Sequence, residues 1–234
     1  NKNIMWPTLL RLGDFHLATY GVILAAGFFA GIVYYGRQKE ARELGEPMFQ
    51  RLVTGLFLTG MGGGKLLYLL LSWRDMDWSV GSLLGNLRFG FVYLGGFLGA
   101  LAYGAWFVRR HKLSFWKLAD PAAVGLALGH GIGRLGCLAA GCCFGGPTAL
   151  PWGLAFKSAE ALVPAHLLGV PLHPTQLYES LGNFMLAAVL HFIFLPRIRA
   201  GRWREGSAFL AYMLGYSVLR FAVECVRADD RAVQ

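Results

Sequence analysis

Apolar residues along this chain gather into long, nearly unbroken runs, where a helix half exposed to water would show a repeating polar face. Six runs stand out, at approximately Leu17 to Gly36, Phe49 to Leu71, Phe91 to Val108, Leu118 to Ala139, Pro174 to Leu195 and Gly206 to Val226. A helix needs roughly 20 apolar residues to cross a hydrocarbon layer of about 30 Å, and these runs leave almost no face for water. Short polar segments join them. The pattern therefore predicts an all-α, polytopic helical membrane protein with about six transmembrane helices. It predicts a single integral membrane domain over 1–234, with an extracytoplasmic loop at about 140–173 and no soluble appendage. Buried helices of a large soluble protein are the competing explanation, but the runs are too many and too long for that.

Composition agrees. Of 234 residues, 56% are hydrophobic and 15% charged, and the mean hydropathy of +0.48 lies on the apolar side of ordinary soluble domains. Nothing at the N-terminus resembles a cleavable signal peptide. The formal net charge of +9 is largely a topology signal, because short loops rich in Lys and Arg stay in the cytoplasm. Arg37, Lys39, Arg42 and Arg51 follow the first run. Arg109, Arg110, Lys112 and Lys117 follow the third, and Arg197, Arg199, Arg202 and Arg204 the fifth. The opposite side carries only Arg74 and Arg88 after the second run and Lys157 after the fourth. This asymmetry places the N-terminus, the 140–173 loop and the C-terminus outside the cytoplasm. The basic residues form separate juxtamembrane clusters with no single binding face, which argues against a nucleic-acid partner.

Glycines inside the runs, among them Gly27, Gly31, Gly63, Gly64, Gly125 and Gly129, have the spacing that lets helix backbones approach closely. Gly95, Gly96 and Gly99 form a denser group, where a lipid headgroup could also come near the backbone.

Three cations interrupt the apolar runs: Lys65, Arg134 and Arg220. A cation near the bilayer centre costs about 2.5–3.5 kcal/mol on insertion scales, and such residues usually face a polar cavity. Tyr216, Arg220 and Glu224 follow one another at four-residue spacing and share a helix face, as do His130 and Arg134. Convergence of these faces would assemble two guanidiniums, a phenol, an imidazole and a carboxylate. A guanidinium binds phosphate through two parallel hydrogen bonds and stays charged at ordinary pH, so a phosphate-bearing lipid is the expected guest. The bland alternatives are a simple Arg220–Glu224 pair and an Arg134 that snorkels to the interface.

The segment from Gly133 and Arg134 through Cys137, Gly141, Cys142, Cys143 and Phe144 to Gly145 resembles the signature of bacterial prolipoprotein diacylglyceryl transferases. Further segments follow in the family's order. They are Ala18-Thr19-Tyr20-Gly21, Gly63-Gly64-Lys65, His173-Pro174-Thr175-Gln176-Leu177-Tyr178-Glu179, and Gly215-Tyr216 through Arg220 to Glu224. The resemblance runs nearly end to end. It implies an inner-membrane enzyme that moves a diacylglyceryl group from phosphatidylglycerol to the lipobox cysteine of a prolipoprotein. Its partners would be phosphatidylglycerol, the lipobox segment and membrane lipids, and no cofactor is implied.

Carried over, the resemblance makes Arg134 and Arg220 the essential arginines, Tyr20 and Tyr216 the cavity tyrosines, and Gly145 the last glycine of the signature. The expected catalytic set is Arg134, Arg220, Tyr216, Tyr20, His130 and Glu224. The expected substrate-binding set is Lys65, Gly95, Gly96, Gly145, His173, Gln176 and Tyr178. Three positions depart from the family pattern. Leu94 stands where a histidine or tyrosine is usual, which leaves His130, His173 and Glu224 as candidate bases. Cys137 stands where asparagine is common, and the chain stops shortly after the sixth run where relatives continue into a seventh span. A diverged relative that binds phospholipid or precursor without transferring anything is the alternative. A transport route is disfavoured because the sequence shows no internal repeat. Three of the four cysteines, Cys137, Cys142 and Cys143, cluster in the signature without the paired spacing of a structural zinc site. They are expected to be small buried thiols, and no metal is assigned.

Overall fold

Each of the six apolar runs is a helix in the computed structural model, which describes residues 8–12, 15–74, 90–158 and 160–227. Arg88, used above for topology, lies outside the described residues, as do residues 1–7 at the N-terminus. A β-hairpin of β1 (Thr8–Leu12) and β2 (Phe15–Ala18) leads into α1 (Thr19–Gly36). The short α2 (Lys39–Leu44) precedes α3 (Glu46–Ser72), followed by α4 (Tyr93–Arg110) and α5 (Phe115–Ala140). A loop holding the two-residue strands β3 (Leu154–Ala155) and β4 (Pro171–Leu172) leads to α6 (Thr175–Arg199) and α7 (Ser207–Glu224). Helices α1, α3, α5 and α6 are long and apolar enough to cross a membrane. The less apolar α4 ends on Arg109 and Arg110, and α7 carries Arg220 and Glu224.

The chain divides into two compact units, one of residues 39–115 and one of residues 1–38 with 116–234. In the first unit, α3 and α4 pack through glycines. A side chain added at Gly63 would lie 2.4 Å from the Gly95 carbonyl, and one at Gly99 2.3 Å from that of Thr59. Only a bare backbone fits such a seam. Gly95 and Gly96 face α3 here, at Gly63 and Gly60, so helix contact fills the space that the sequence left open to a headgroup. Lys65 bonds the Gly90 carbonyl at 3.4 Å and sits over the rings of Tyr68 and Phe91.

The second unit uses the same device between α1 and α5, where Gly27 meets the carbonyl of Gly129 and Gly31 that of Gly125. Small residues on α5, α6 and α7, namely Ala123, Ala127, Ala187 and Ala208, let these three helices close on Val124, Leu190, Leu195 and Tyr212. Helix α6 widens into a π turn at Leu190–Phe194, directly before Pro196. Proline has no N–H for the carbonyl four residues back, and the wider turn carries the helix past it to Arg199. On the outer side α7 leaves Leu210, Leu214, Val218 and Phe221 well exposed, a surface suited to lipid.

A buried anion ties α5 to α7. The Asp120 carboxylate accepts the backbone N–H groups of Gly206, Ala208 and Phe209 at 2.7, 2.9 and 3.0 Å. These donors lie at the start of α7, where the helix itself supplies no carbonyl for them and its dipole also favours negative charge. Gly206 takes a φ of +90° to turn into the helix. Asp120→Ala is expected to cost about 2–4 kcal/mol through the lost cap and the donors left buried. Reversible unfolding in micelles measures this, and wild-type stability in the variant would show that the cap does not anchor α7.

Candidate active site

The polar centre of the second unit begins on α6, where Gln176, Glu179, Ser180 and Asn183 recur at helical spacing and are all buried. A polar stripe turned inward needs partners. Ser180 donates to the Gly131 carbonyl at 2.8 Å, Asn183 to its own helix at Glu179 O, and Gln176 to the Cys142 carbonyl at 2.7 Å. Glu179 takes the cations. Its carboxylate, 1% exposed, lies 2.7 Å from Arg134, 3.5 Å from Arg220 and 3.8 Å from Arg227. Arg220 also pairs with Glu224 on its own helix.

All six expected catalytic residues lie at or beside this centre. The Tyr216 phenol lies beside the Arg134 guanidinium, and the His130 ring packs on that of Tyr216 with centroids 4.7 Å apart. Tyr20 comes from α1, where its backbone and ring lie against Gly136, and its phenol is an electrostatic neighbour of Arg134. Glu224 reaches the centre through Arg220. Three guanidiniums face two carboxylates, so the cluster carries one net positive charge. The buried Nε of Arg134 has no hydrogen-bond partner among the described residues. Arg134 and Arg220 are still 17% and 23% exposed, while Arg227 is 2% exposed. Two arginines therefore face space and one is enclosed.

Of the substrate-binding candidates, Gly145 and His173 lie in the loop beside this centre, and Gln176 and Tyr178 on the first turn of α6 that the loop packs against. A side chain at Gly145 would meet His173 and Thr175 of one segment and the Val226 carbonyl of another. Gly145 N–H donates to His173 O, and Gly146 N–H to Val226 O. The loop is thereby stitched to the start of α6 and the end of α7. The Tyr178 hydroxyl accepts from the Trp152 indole at 2.8 Å and lies 3.3 Å from His173 Nδ1. Phe144, Phe156, Val163 and Leu172 give the loop its own small core. Lys65, Gly95 and Gly96 belong to the other unit, described above. Leu94 is an exposed residue on the first turn of α4.

The cysteines come together. Gly141 at φ +69° and Cys143 at φ +60° turn the chain back on the last turn of α5, and the Sγ atoms of Cys137, Cys142 and Cys143 all lie within 4.8 Å of one another. A left-handed backbone at a non-glycine residue persists only where its surroundings hold it. Here Thr175 Oγ1 donates to the Cys143 carbonyl at 2.6 Å, next to the bond from Gln176 to Cys142. Hydrogen bonds from Cys137 and Cys142, aided by Arg134 and Arg227, pull the Cys143 thiol below the usual range, and the same thiol network pushes Cys142 up.

Glu179 and Arg227 were not among the expected site residues. The inward polar stripe of α6 is the signal that marks Glu179, because a carboxylate repeating with Gln176 and Asn183 inside an apolar run has to face protein. Arg227 follows the sixth run and has no such signal.

A polar, cation-rich centre set among long apolar helices is the mark of a membrane-embedded protein with a charged interior. Comparison with known proteins gives the family. A family model described as prolipoprotein diacylglyceryl transferase matches residues 7–234, and the chain belongs to that family. Similar proteins include the phosphatidylglycerol–prolipoprotein diacylglyceryl transferases of Clostridium tetani, 31% identical over 97% of this chain and 87% of the relative, and of Gloeobacter violaceus, 33% identical over 97% and 83%. Another is the protein named phosphatidylglycerol–prolipoprotein diacylglyceryl transferase 2 of Clostridium perfringens, 32% identical over 91% and 80%. With its apolar spans and bacterial relatives, this is a bacterial membrane protein.

Glu179→Gln keeps the shape of the side chain and removes the shared anion. The three arginines then repel one another without their counter-charge, and a loss of about 3–5 kcal/mol is expected. Unfolding in micelles reads this loss, and an unchanged midpoint would show that the guanidiniums do not depend on Glu179.

Proposed function

We propose that this protein transfers the diacylglyceryl group of phosphatidylglycerol to the lipobox cysteine thiol of a prolipoprotein. The observation that carries this reading is the convergence of Arg134, Arg220 and Arg227 on Glu179, with a net positive charge and an unused Nε donor on Arg134. The names of the similar proteins supply both substrates.

Phosphatidylglycerol enters sideways from the membrane and its phosphodiester docks on Arg134 and Arg220, the two arginines that keep exposed surface. The precursor's thiolate attacks the glyceryl carbon. The S–C bond forms as the C–O bond to phosphate breaks, and the electron pair leaves on the phosphate oxygen of glycerol phosphate. Charge grows on that oxygen in the transition state, where fixed guanidiniums stabilise it without having to reorganise. Glu179 and Tyr216 hold Arg134 in place, and Glu224 does the same for Arg220. His130, packed against Tyr216, takes the thiol proton. Tyr20 lines the thiol side of the site. Gly145, His173, Gln176 and Tyr178 shape the loop that receives the lipobox segment. Lys65 offers a further cation to anionic lipid, and Gly95 and Gly96 set the backbone contact that supports it.

The site operates at the inner membrane, with the N-terminus and the 140–173 loop outside the cytoplasm, where secreted precursors emerge. The basic clusters after the first, third and fifth runs support this orientation.

Incubation of a synthetic lipobox peptide with the purified protein in phosphatidylglycerol nanodiscs is expected to add a diacylglyceryl mass to the peptide. Arg134→Ala and Arg220→Ala should each reduce turnover by at least about 10²–10³-fold, the cost of removing one transition-state donor. Near-normal turnover in both variants contradicts the phosphate clamp. Absence of any mass gain with the wild type, with phosphatidylglycerol still bound, points to a lipid-binding relative that has lost the reaction.

A further inference from the structure

We propose that Cys137, Cys142 and Cys143 hold a zinc ion whose fourth position takes the precursor's cysteine. This deepens the transferase reading and rests on it. Zinc bound by thiolates has Zn–S distances of about 2.3 Å, which in a tetrahedron sets the sulfurs about 3.8 Å apart. The three Sγ atoms lie within 4.8 Å of one another, so rotation about Cα–Cβ bonds closes the set without moving the backbone far. The backbone is already fixed for it by the left-handed residues Gly141 and Cys143 and by the bonds of Gln176 and Thr175 to the carbonyls of Cys142 and Cys143.

The donor set also selects the metal and its use. Three soft sulfurs favour zinc or copper(I) over harder ions. No histidine or carboxylate joins the group among the described residues. Three protein ligands with one open position is the pattern of a catalytic zinc site, whereas a structural site is closed by four. Copper(I) held by three thiolates leaves no position to use. Three thiolates and Zn²⁺ carry one net negative charge, which the neighbouring Arg134 and Arg227 offset.

The open position faces a reaction that needs a thiolate. Coordination to a metal deprotonates a thiol outright and is one of the general ways to activate a nucleophile. The precursor's S–H proton passes to His130, the base named above, as sulfur binds. The bound thiolate then forms the S–C bond while the glyceryl C–O bond breaks, and phosphate departs on the arginines. No electron is gained or lost by the metal.

The test uses the full chain in nanodiscs, prepared anaerobically with reductant and stripped of metal. Zinc titrated against a chromophoric chelator should bind at one equivalent. Cys142→Ser and Cys143→Ser, at partly exposed positions, should each weaken binding by more than about 100-fold, the upper end of what losing even an outer-shell partner costs. Cobalt(II) in place of zinc should show tetrahedral thiolate bands that change when a lipobox peptide is added and do not change with its serine analogue. Absence of stoichiometric zinc binding overturns the site. Cobalt bands that ignore the peptide thiol overturn its catalytic use, as does undiminished transfer by the metal-free wild type. Zinc binding by a wild type that transfers nothing, even with zinc present, counts instead against the transferase reading.

Discussion

Glu179 faces three guanidiniums from a position 1% exposed to solvent, and the architecture around it follows from that. Removing an ion from water costs several kcal/mol even after relaxation, so a lone arginine inside a membrane protein is hard to keep. A shared carboxylate lets Arg134 from α5, Arg220 from α7 and Arg227 beyond it occupy one centre. One anion does not neutralise three cations, and Glu224 brings the balance only to one net positive charge. The remaining attraction is available to a phosphate, and the carboxylates keep the free site from being prohibitively repulsive.

The scaffold serves the same end by bringing backbones unusually close. Alanines on α5, α6 and α7 and the glycine seam between α1 and α5 shorten the distances that long arginine side chains have to span. Asp120 fixes where α7 begins and therefore where Tyr216, Arg220 and Glu224 point. The signature loop closes one end through Gly145, where anything larger than hydrogen would strike His173, Thr175 and Val226. Stability and site geometry thus draw on the same contacts.

Much of this was legible in the sequence because membrane-spanning helices are written as long apolar runs. All six appear within a few residues of their expected ends, and α6 continues past Leu195 to Arg199 because a π turn accommodates Pro196. The i, i+4 spacing of His130 with Arg134, and of Tyr216 with Arg220 and Glu224, was enough to place those groups on shared faces. What sequence could not give was partnership between distant segments. Spacing offers Arg220 only Glu224 as a carboxylate partner, yet it also reaches Glu179, 41 residues away. The three thiols cluster in the signature, but with Cys137 and Cys142 five residues apart their spacing does not show that they meet, and only the left-handed turn at Gly141 and Cys143 folds them onto each other. Gly95 and Gly96 looked open to lipid because spacing does not say which neighbour fills a groove. The hairpin of β1 and β2 was missed although Gly13-Asp14 is a turn-type pair in the sequence, because the residues on either side carry no strong alternation.

The most direct test of the arginine centre is equilibrium binding of phosphatidylglycerol to the protein in nanodiscs of zwitterionic lipid, with wild type and an Arg134→Ala, Arg220→Ala double variant compared at two salt concentrations. Selective binding by the wild type, largely lost in the variant and only weakly sensitive to salt, is expected of a buried guanidinium pair shielded from counter-ions. Equal affinity in the two proteins, or binding that salt removes entirely, would mean that the lipid is held by the basic surface loops and that the buried arginines serve only the fold.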